Sequence, residues 1–244
     1  MRRFQCALLA TVAVIGFASI ATAADMPVKA RPMAPVGYNW TGCYIGAHVG
    51  YGWGHATNTD DPSSNWFLGQ AVDVNGNGLL GGGQIGCDYQ FTSNFVIGIQ
   101  GDLAAAGISG STLVNAAPIT VNAHAKTDWL GTVTGRLGYS FDSNLLYVKG
   151  GVAFAHDKYS GDWSAFGFSG TASGTDTRTG WLLGFGLEHA FDKNWSANIE
   201  YNYTGFGTHA VSFPVPPPGF GTYIGDISQR IQTVKLGINY RFGR

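Results

Sequence analysis

Trp195-Ser196-Ala197-Asn198-Ile199-Glu200-Tyr201-Asn202-Tyr203-Thr204 alternates without a break. Trp195, Ala197, Ile199, Tyr201 and Tyr203 fall on one parity, and Ser196, Asn198, Glu200, Asn202 and Thr204 on the other. Period two sends successive side chains to opposite faces of a sheet, so this segment reads as a strand with one apolar and one polar face. The same pattern recurs along the chain. Residues 41–53 set Cys43, Ile45, Ala47, Val49, Tyr51 and Trp53 against glycines, Tyr44 and His48. Residues 79–91, 95–103, 128–141, 145–155, 178–191 and 230–242 follow the same rule, giving eight segments in all.

Each segment has roughly the 9–11 residues that a tilted strand needs to cross a bilayer. Their connections alternate in length. Thr92-Ser93-Asn94, Asp142-Ser143-Asn144 and Asp192-Lys193-Asn194 are tight-turn chemistry, whereas residues 54–78, 104–127, 156–177 and 205–229 read as four long loops. Within 104–127, Ser111-Thr112-Leu113-Val114 and Ile119-Thr120-Val121 have strand character and are read as extending strands three and four above the membrane. The expected fold is therefore all-β: an eight-stranded antiparallel transmembrane β-barrel with short periplasmic turns, long extracellular loops and both termini on the short-turn side.

Composition points the same way. Aromatics make up 14 % and charged residues 12 %, about half the usual charged share, and 37 residues are glycine. A soluble β-sandwich would carry more Lys and Glu on its polar faces. After residue 20 no apolar run approaches the 18 or so residues of a spanning helix. Tyr139, Phe141, Phe191, Trp195, Tyr240 and Phe242 cluster at the short-turn ends, with Trp53, Trp129, Trp181 and Tyr203 toward the long-loop ends. Two such levels are the aromatic girdles of a membrane barrel.

Arg2 and Arg3, an apolar run to Ile20 and the triplet Ala21-Thr22-Ala23 read as a secretory signal peptide over residues 1–23. Residues 24–39, with Pro27, Pro32 and Pro35, read as an extended periplasmic leader, and residues 40–244 as the barrel. Loss of the two arginines moves the formal charge from -1 to -3, and no basic cluster offers itself to nucleic acid. Cys43 and Cys87 lie on the lipid-facing parity of neighbouring strands; a cross-strand disulfide and two free thiols are both open.

Trp40-Thr41-Gly42-Cys43-Tyr44-Ile45-Gly46, then Gly50-Tyr51-Gly52-Trp53-Gly54, resembles the opening strand of the Omp25/Omp31-like outer-membrane β-barrel proteins (porin-family small barrels) of α-proteobacteria, as does the start Ala24-Asp25-Met26-Pro27-Val28. Lys235-Leu236-Gly237-Ile238-Asn239-Tyr240-Arg241-Phe242 is similar to the C-terminal signal read by the barrel-assembly machinery, carried by Lys235, Gly237, Tyr240 and Phe242. Gly243 and Arg244 depart from that pattern, which normally ends on the aromatic residue. The resemblance implies an abundant surface antigen of the Gram-negative cell outer membrane that contributes to envelope integrity and host contact. Its partners would be outer-membrane lipid and lipopolysaccharide, the assembly machinery, and host or environmental surface ligands at the loops.

Function then turns on the bore. Eight strands leave room for side chains and little else. Asp88, Asp102, Arg136, Lys149, Glu188, Glu200 and Lys235 face inward, with Arg178 and Arg230 nearer the loop end. Opposite charges in so narrow a space should pair, because an isolated buried charge is very costly. The expectation is a lumen closed by charged side chains; a narrow porin for ions or small solutes is the alternative. Asp73-Val74-Asn75-Gly76-Asn77-Gly78 matches half a calcium loop, but its twelfth position is Gln84, so the stretch reads as a surface loop and no metal or cofactor is expected. Gly81-Gly82-Gly83 precedes no helix and reads as easing strand curvature rather than cradling phosphate. His55, His124, His156 and His209 match no catalytic spacing, and no enzymatic activity is expected. The loops, including Pro214-Val215-Pro216-Pro217-Pro218, read as adaptable surface.

Overall fold

A computed structural model describes residues 38–60, 71–91, 94–116, 119–165, 168–214 and 222–242. The signal peptide and nearly all of the leader, and with them the boundary at residue 23, lie outside the described residues. So do residues 215–218 of the proline-rich stretch and the Gly243-Arg244 extension.

Eight strands follow in order: β1 (Gly42–Asp60), β2 (Ala71–Gln90), β3 (Phe95–Ala116), β4 (Ile119–Phe141), β5 (Asn144–Ala165), β6 (Phe168–Ala190), β7 (Trp195–Pro214) and β8 (Thr222–Phe242). Each pairs antiparallel with its chain neighbour, and β1 pairs with β8 from Cys43↔Phe242 to Asp60↔Gly225, which closes the barrel. Of the three tight turns, Thr92 and Ser93 lie outside the described residues, while Asp142-Ser143-Asn144 and Asp192-Lys193-Asn194 connect β4 to β5 and β6 to β7. Asp142 occupies the left-handed region at φ 51, which a short side chain able to bond locally tolerates.

The parities hold through the membrane segments. Ile45, Val49, Leu79, Ile85, Ile99, Leu103, Val133, Leu183 and Leu236 are exposed on the outer face, while Gln84, Asp88, Glu188 and Glu200 are buried inside. Cys43 and Cys87 are directly opposite in the β1–β2 ladder and form a disulfide, with Cα atoms 3.9 Å apart. Gly82 belongs to a close strand approach: a Cβ there would collide with the Leu103 carbonyl.

The long loops are a point of correction. Most of 54–78, 104–127, 156–177 and 205–229 is strand, so the strands run 19–23 residues, about twice a membrane crossing. The segment Asp73–Gly78, expected as a surface loop, is likewise part of β2, bonded across to β1. Gly, Ser, Thr and Asn give little apolar alternation once both faces are wet, yet their backbone groups still pair, and that pairing is what extends the ladder. Only the extension of strands three and four was legible, through 111–114 and 119–121.

Above the membrane the ladders are unequal. Among the described residues, β6–β7 pairing ends at Trp181↔Gly205 and β2–β3 pairing at Asn77↔Ser109. Beyond those points pairing continues within β3-β4-β5-β6 and within β7-β8-β1-β2, two four-stranded sheets. Register shifts lie beside both ends, at Ala105/Ile108 in β3 and Gly205/Thr208 in β7, with Gly207 at φ 64. A bulge inserts a residue and bends its strand, which lets the wall part there.

The disulfide gives a direct check. Protein prepared from residues 24–244, denatured without reductant, should take up no maleimide label, and after reduction two labels per chain by mass.

Candidate functional site

The interior is built in layers. Nearest the short turns, Trp40 is fully buried beneath the barrel, packed with Val96, Leu145, Tyr147 and Ala190, and Tyr38 rests on the same cluster. Trp40 marks the end of the leader and the start of the closed floor.

Above it lies the charged layer. The Arg136 guanidinium meets Asp88 at 2.9 Å and Glu188 at 2.9 Å, and lies 4.4 Å over the Tyr147 ring. Arg241 reaches Asp88 at 2.9 Å and Glu188 at 3.6 Å, while its other nitrogen donates to the Trp40 carbonyl at 2.7 Å. One step higher, Lys149 donates to Glu200 at 2.5 Å, and Lys235 bridges Asp102 at 2.8 Å and Glu200 at 3.6 Å. His48 lies 2.8 Å from Asp102. Neutral groups complete the shell: Tyr147 and Gln100 donate to Glu200, Ser196 and Asn239 to Glu188, and Tyr44 to Gln100.

All seven lumen residues read from the sequence are thus buried and joined in this layer. Arg241 and His48 were missed as members although both lie on inward parities. With Arg241 included, the four carboxylates Asp88, Asp102, Glu188 and Glu200 face the four cations Arg136, Lys149, Lys235 and Arg241. Compensation of this kind is what makes eight buried charges tolerable.

The next layer was not foreseen. Leu80, Ala104, Ala106, Ile108, Leu130, Ala153, Ala155, Leu182, Phe206 and Ile231 form a buried apolar cluster across the bore. Its members continue the inward parity one turn of pleat above the charges. Ile108 and Phe206 keep the inward parity of β3 and β7, but they lie beyond residues 103 and 204, where the sequence reading ended those strands and began loops. Glycines make the room: a Cβ at Gly52 would collide with Ile108, and one at Gly180 with Phe206.

A small polar layer caps the apolar one. Asp157 accepts from Thr127 at 2.5 Å and Gln229 at 3.4 Å, and Arg178 sits 3.2 Å from Asp176 and 5.1 Å over the Tyr159 ring. Arg178 therefore faces inward as expected. Arg230 does not: it is exposed, because Gln229 and Ile231 hold the inward parity of β8. Its even number had already placed it on the lipid-facing row with Val234 and Leu236.

The outer face carries the two aromatic levels. Tyr139 packs on Phe95 at 5.5 Å and Trp195 on Tyr240 at 5.1 Å, and Tyr240 lies 6.3 Å from Phe242. Phe141 and Phe191 are exposed at the same end. At the other level Trp53 neighbours Tyr51, Trp129 stacks on His156, and Trp181 packs on Tyr203. Among the described residues no group of three His, Cys, Asp or Glu side chains is placed to hold a metal ion. Asp73 and Asn75 instead accept from Thr57 and meet His55.

A closed antiparallel barrel with an apolar exterior, aromatic levels and ion pairs inside defines an outer-membrane β-barrel protein. The chain belongs to the family described as "Outer membrane protein beta-barrel domain", whose profile matches residues 10–242. It is 33 % identical to the "31 kDa outer-membrane immunogenic protein" of Brucella melitensis biotype 1 over 96 % of this chain and 98 % of that protein. It is 26 % identical to the "25 kDa outer-membrane immunogenic protein" of Brucella abortus biovar 1 over 99 % of this chain and 100 % of that one. The crystal structure of OprG from Pseudomonas aeruginosa shares the fold at a TM-score of 0.50, with 12 % identity over 86 % of this chain and 100 % of that one. The outer membrane is thereby its location.

The network predicts its own weak point. Arg136→Met leaves Asp88 and Glu188 dependent on Arg241 and should lower unfolding free energy in micelles by about 3 kcal/mol or more. Adding Asp88→Asn should recover part of that loss, because the uncompensated charge is what costs. Urea titration followed by tryptophan fluorescence reads both.

Proposed function

We propose that this protein is a closed surface barrel that contributes to envelope integrity and surface contact rather than transport. The observation that carries the reading is the apolar layer of Ile108, Phe206, Leu80, Leu130, Leu182 and Ile231 spanning the bore above the paired charges. An apolar constriction excludes water and ions even where its walls are not sealed. Below it the charges are already paired with one another, so a passing ion would have to displace a bonded partner. The narrow-porin reading needs both layers to move. Among the described residues, the feature that favours it is that Lys235 lies within reach of two acids, Asp102 and Glu200.

The reading assigns no reaction to the protein: His55 and His156 hydrogen-bond Asn75 and Thr177. Tyr240 and Phe242, exposed on the closing strand, suit recognition by the barrel-assembly machinery before β8 meets β1. Surface contact with host or environmental ligands would fall to the four-stranded sheets that rise above the membrane.

Single-channel conductance in a planar bilayer tests the reading. The wild-type protein should be silent or show rare flickers. Ile108→Gly with Phe206→Gly, which removes two large side chains of the apolar layer, should give more frequent small openings. Stable ohmic steps from the wild type would make it a porin, with Arg136, Lys149, Glu188 and Lys235 as the residues setting selectivity.

A further inference from the structure

Three consecutive rows of side chains run straight across β3, β4, β5 and β6 just above the outer aromatic level. Ser109, Lys126, Lys158 and Thr175 are mutual cross-strand partners, as are Gly110, Ala125, Tyr159 and Gly174, and then Ser111, His124, Ser160 and Ser173. Tyr159 in the middle row is buried in the bore, so the rows on either side of it project away from the bore. The three rows together bound a recess of about 830 Å3.

Charge in this recess is out of keeping with the rest of the outer surface. Among the described residues, the only Lys and Arg outside the bore are Lys126, Lys158, Arg230 and the short-turn Lys193. Two of these four are directly opposite each other on one face. Like charges at that position destabilise a sheet. Asp128 meets both, at 3.1 Å from Lys126 and 2.6 Å from Lys158, but supplies one negative charge for two positive ones. Both ammonium-bearing side chains stay 56 % exposed. Asp128 thus holds the pair in place and leaves donors pointing outward.

Height decides the ligand. Lys158 lies two residues beyond His156, which stacks on Trp129 with ring centroids 6.0 Å apart. Two residues of strand rise about 7 Å, or about 5 Å along the membrane normal at a 45° tilt. The headgroup zone extends roughly 5–7 Å beyond the hydrocarbon on each side. The lysines therefore lie in the outer headgroup layer, beside an array of four serines and a threonine.

We propose that this recess binds the phosphorylated sugar headgroup of an outer-leaflet glycolipid, with Lys126 and Lys158 on the phosphate and Ser109, Ser111, Ser160 and Thr175 on the sugar hydroxyls. Ammonium groups match a phosphate as point charges, and short hydroxyls both donate to and accept from sugar oxygens. The proposal rests on the surface-barrel reading and gives it a lipid partner at a defined wall.

The test uses protein purified from outer membranes, stripped of lipid in detergent, and titrated by native mass spectrometry. Four probes are compared: bis-phosphorylated lipid A, its dephosphorylated form, phosphatidylglycerol and inorganic phosphate. The wild type should retain lipid A. Lys126→Ala with Lys158→Ala should weaken retention roughly thirty-fold, at about five-fold per surface lysine, and the Arg pair should restore it. Lys193→Ala, at the other end, should change nothing. Unchanged binding by the alanine pair, or equal binding of dephosphorylated lipid A, would overturn the proposal. Phosphatidylglycerol binding as well as lipid A would overturn the glycolipid assignment, and so would displacement of lipid A by inorganic phosphate alone. If the alanine pair fails to fold, judged by heat-modifiable migration, each single alanine should give its five-fold loss. Conductance of the same variants should stay silent, so failure here is distinguishable from failure of the closed-barrel reading.

Discussion

Every backbone N–H and C=O inside the hydrocarbon must find its partner within the chain, because lipid offers none. The β1–β8 ladder meets that demand for a sheet by removing both edges at once. Closure fixes the number of strands, the number of strands fixes the bore, and the bore fixes what the inward side chains can be. Once the outer face must be apolar, period two commits each alternate residue to a confined interior. The charges cannot be hydrated there, so they must be paired.

That interior is held by two kinds of contact with opposite tolerances. The charged layer is tightly specified: Asp88 and Glu188 each meet both Arg136 and Arg241, and Glu200 meets both Lys149 and Lys235. Loss of one member strands others. The apolar layer above is more forgiving of exchange among similar volumes, and it stands beside the register shifts at Ala105/Ile108 and Gly205/Thr208. Register, enforced by the charges, and bulges, which relax it, therefore meet within a few residues of each other.

The membrane-crossing part of the fold was legible because lipid on one side and a cramped bore on the other impose a clean two-residue rhythm on segments such as 195–204. The seven lumen charges followed from the same rhythm. Arg241 shares a parity with Lys235 and Asn239, but at the end of the final strand a long side chain could equally reach water, and only the closed barrel brings it onto Asp88 and Glu188. Ile108 and Phe206 were lost for another reason: both keep the inward parity, but glycines and small residues around them made 104–127 and 205–229 read as loops, so the count stopped short of them. The upper strands were hidden for a different reason. Residues such as Ser109, Ser111, Ser160, Ser173 and Thr175 have water on their outer side, so nothing in their hydropathy separates a ladder from a loop.

The rows that cross β3 to β6 have a bearing on how this surface is recognised from outside. Ser109, Lys126, Lys158 and Thr175 become neighbours only through register, each contributed by a different strand. An antibody or receptor that contacts such a row reads a conformational epitope. A synthetic peptide copied from any one strand would carry a single member of each row, and boiling the protein would erase the determinant while leaving its sequence intact.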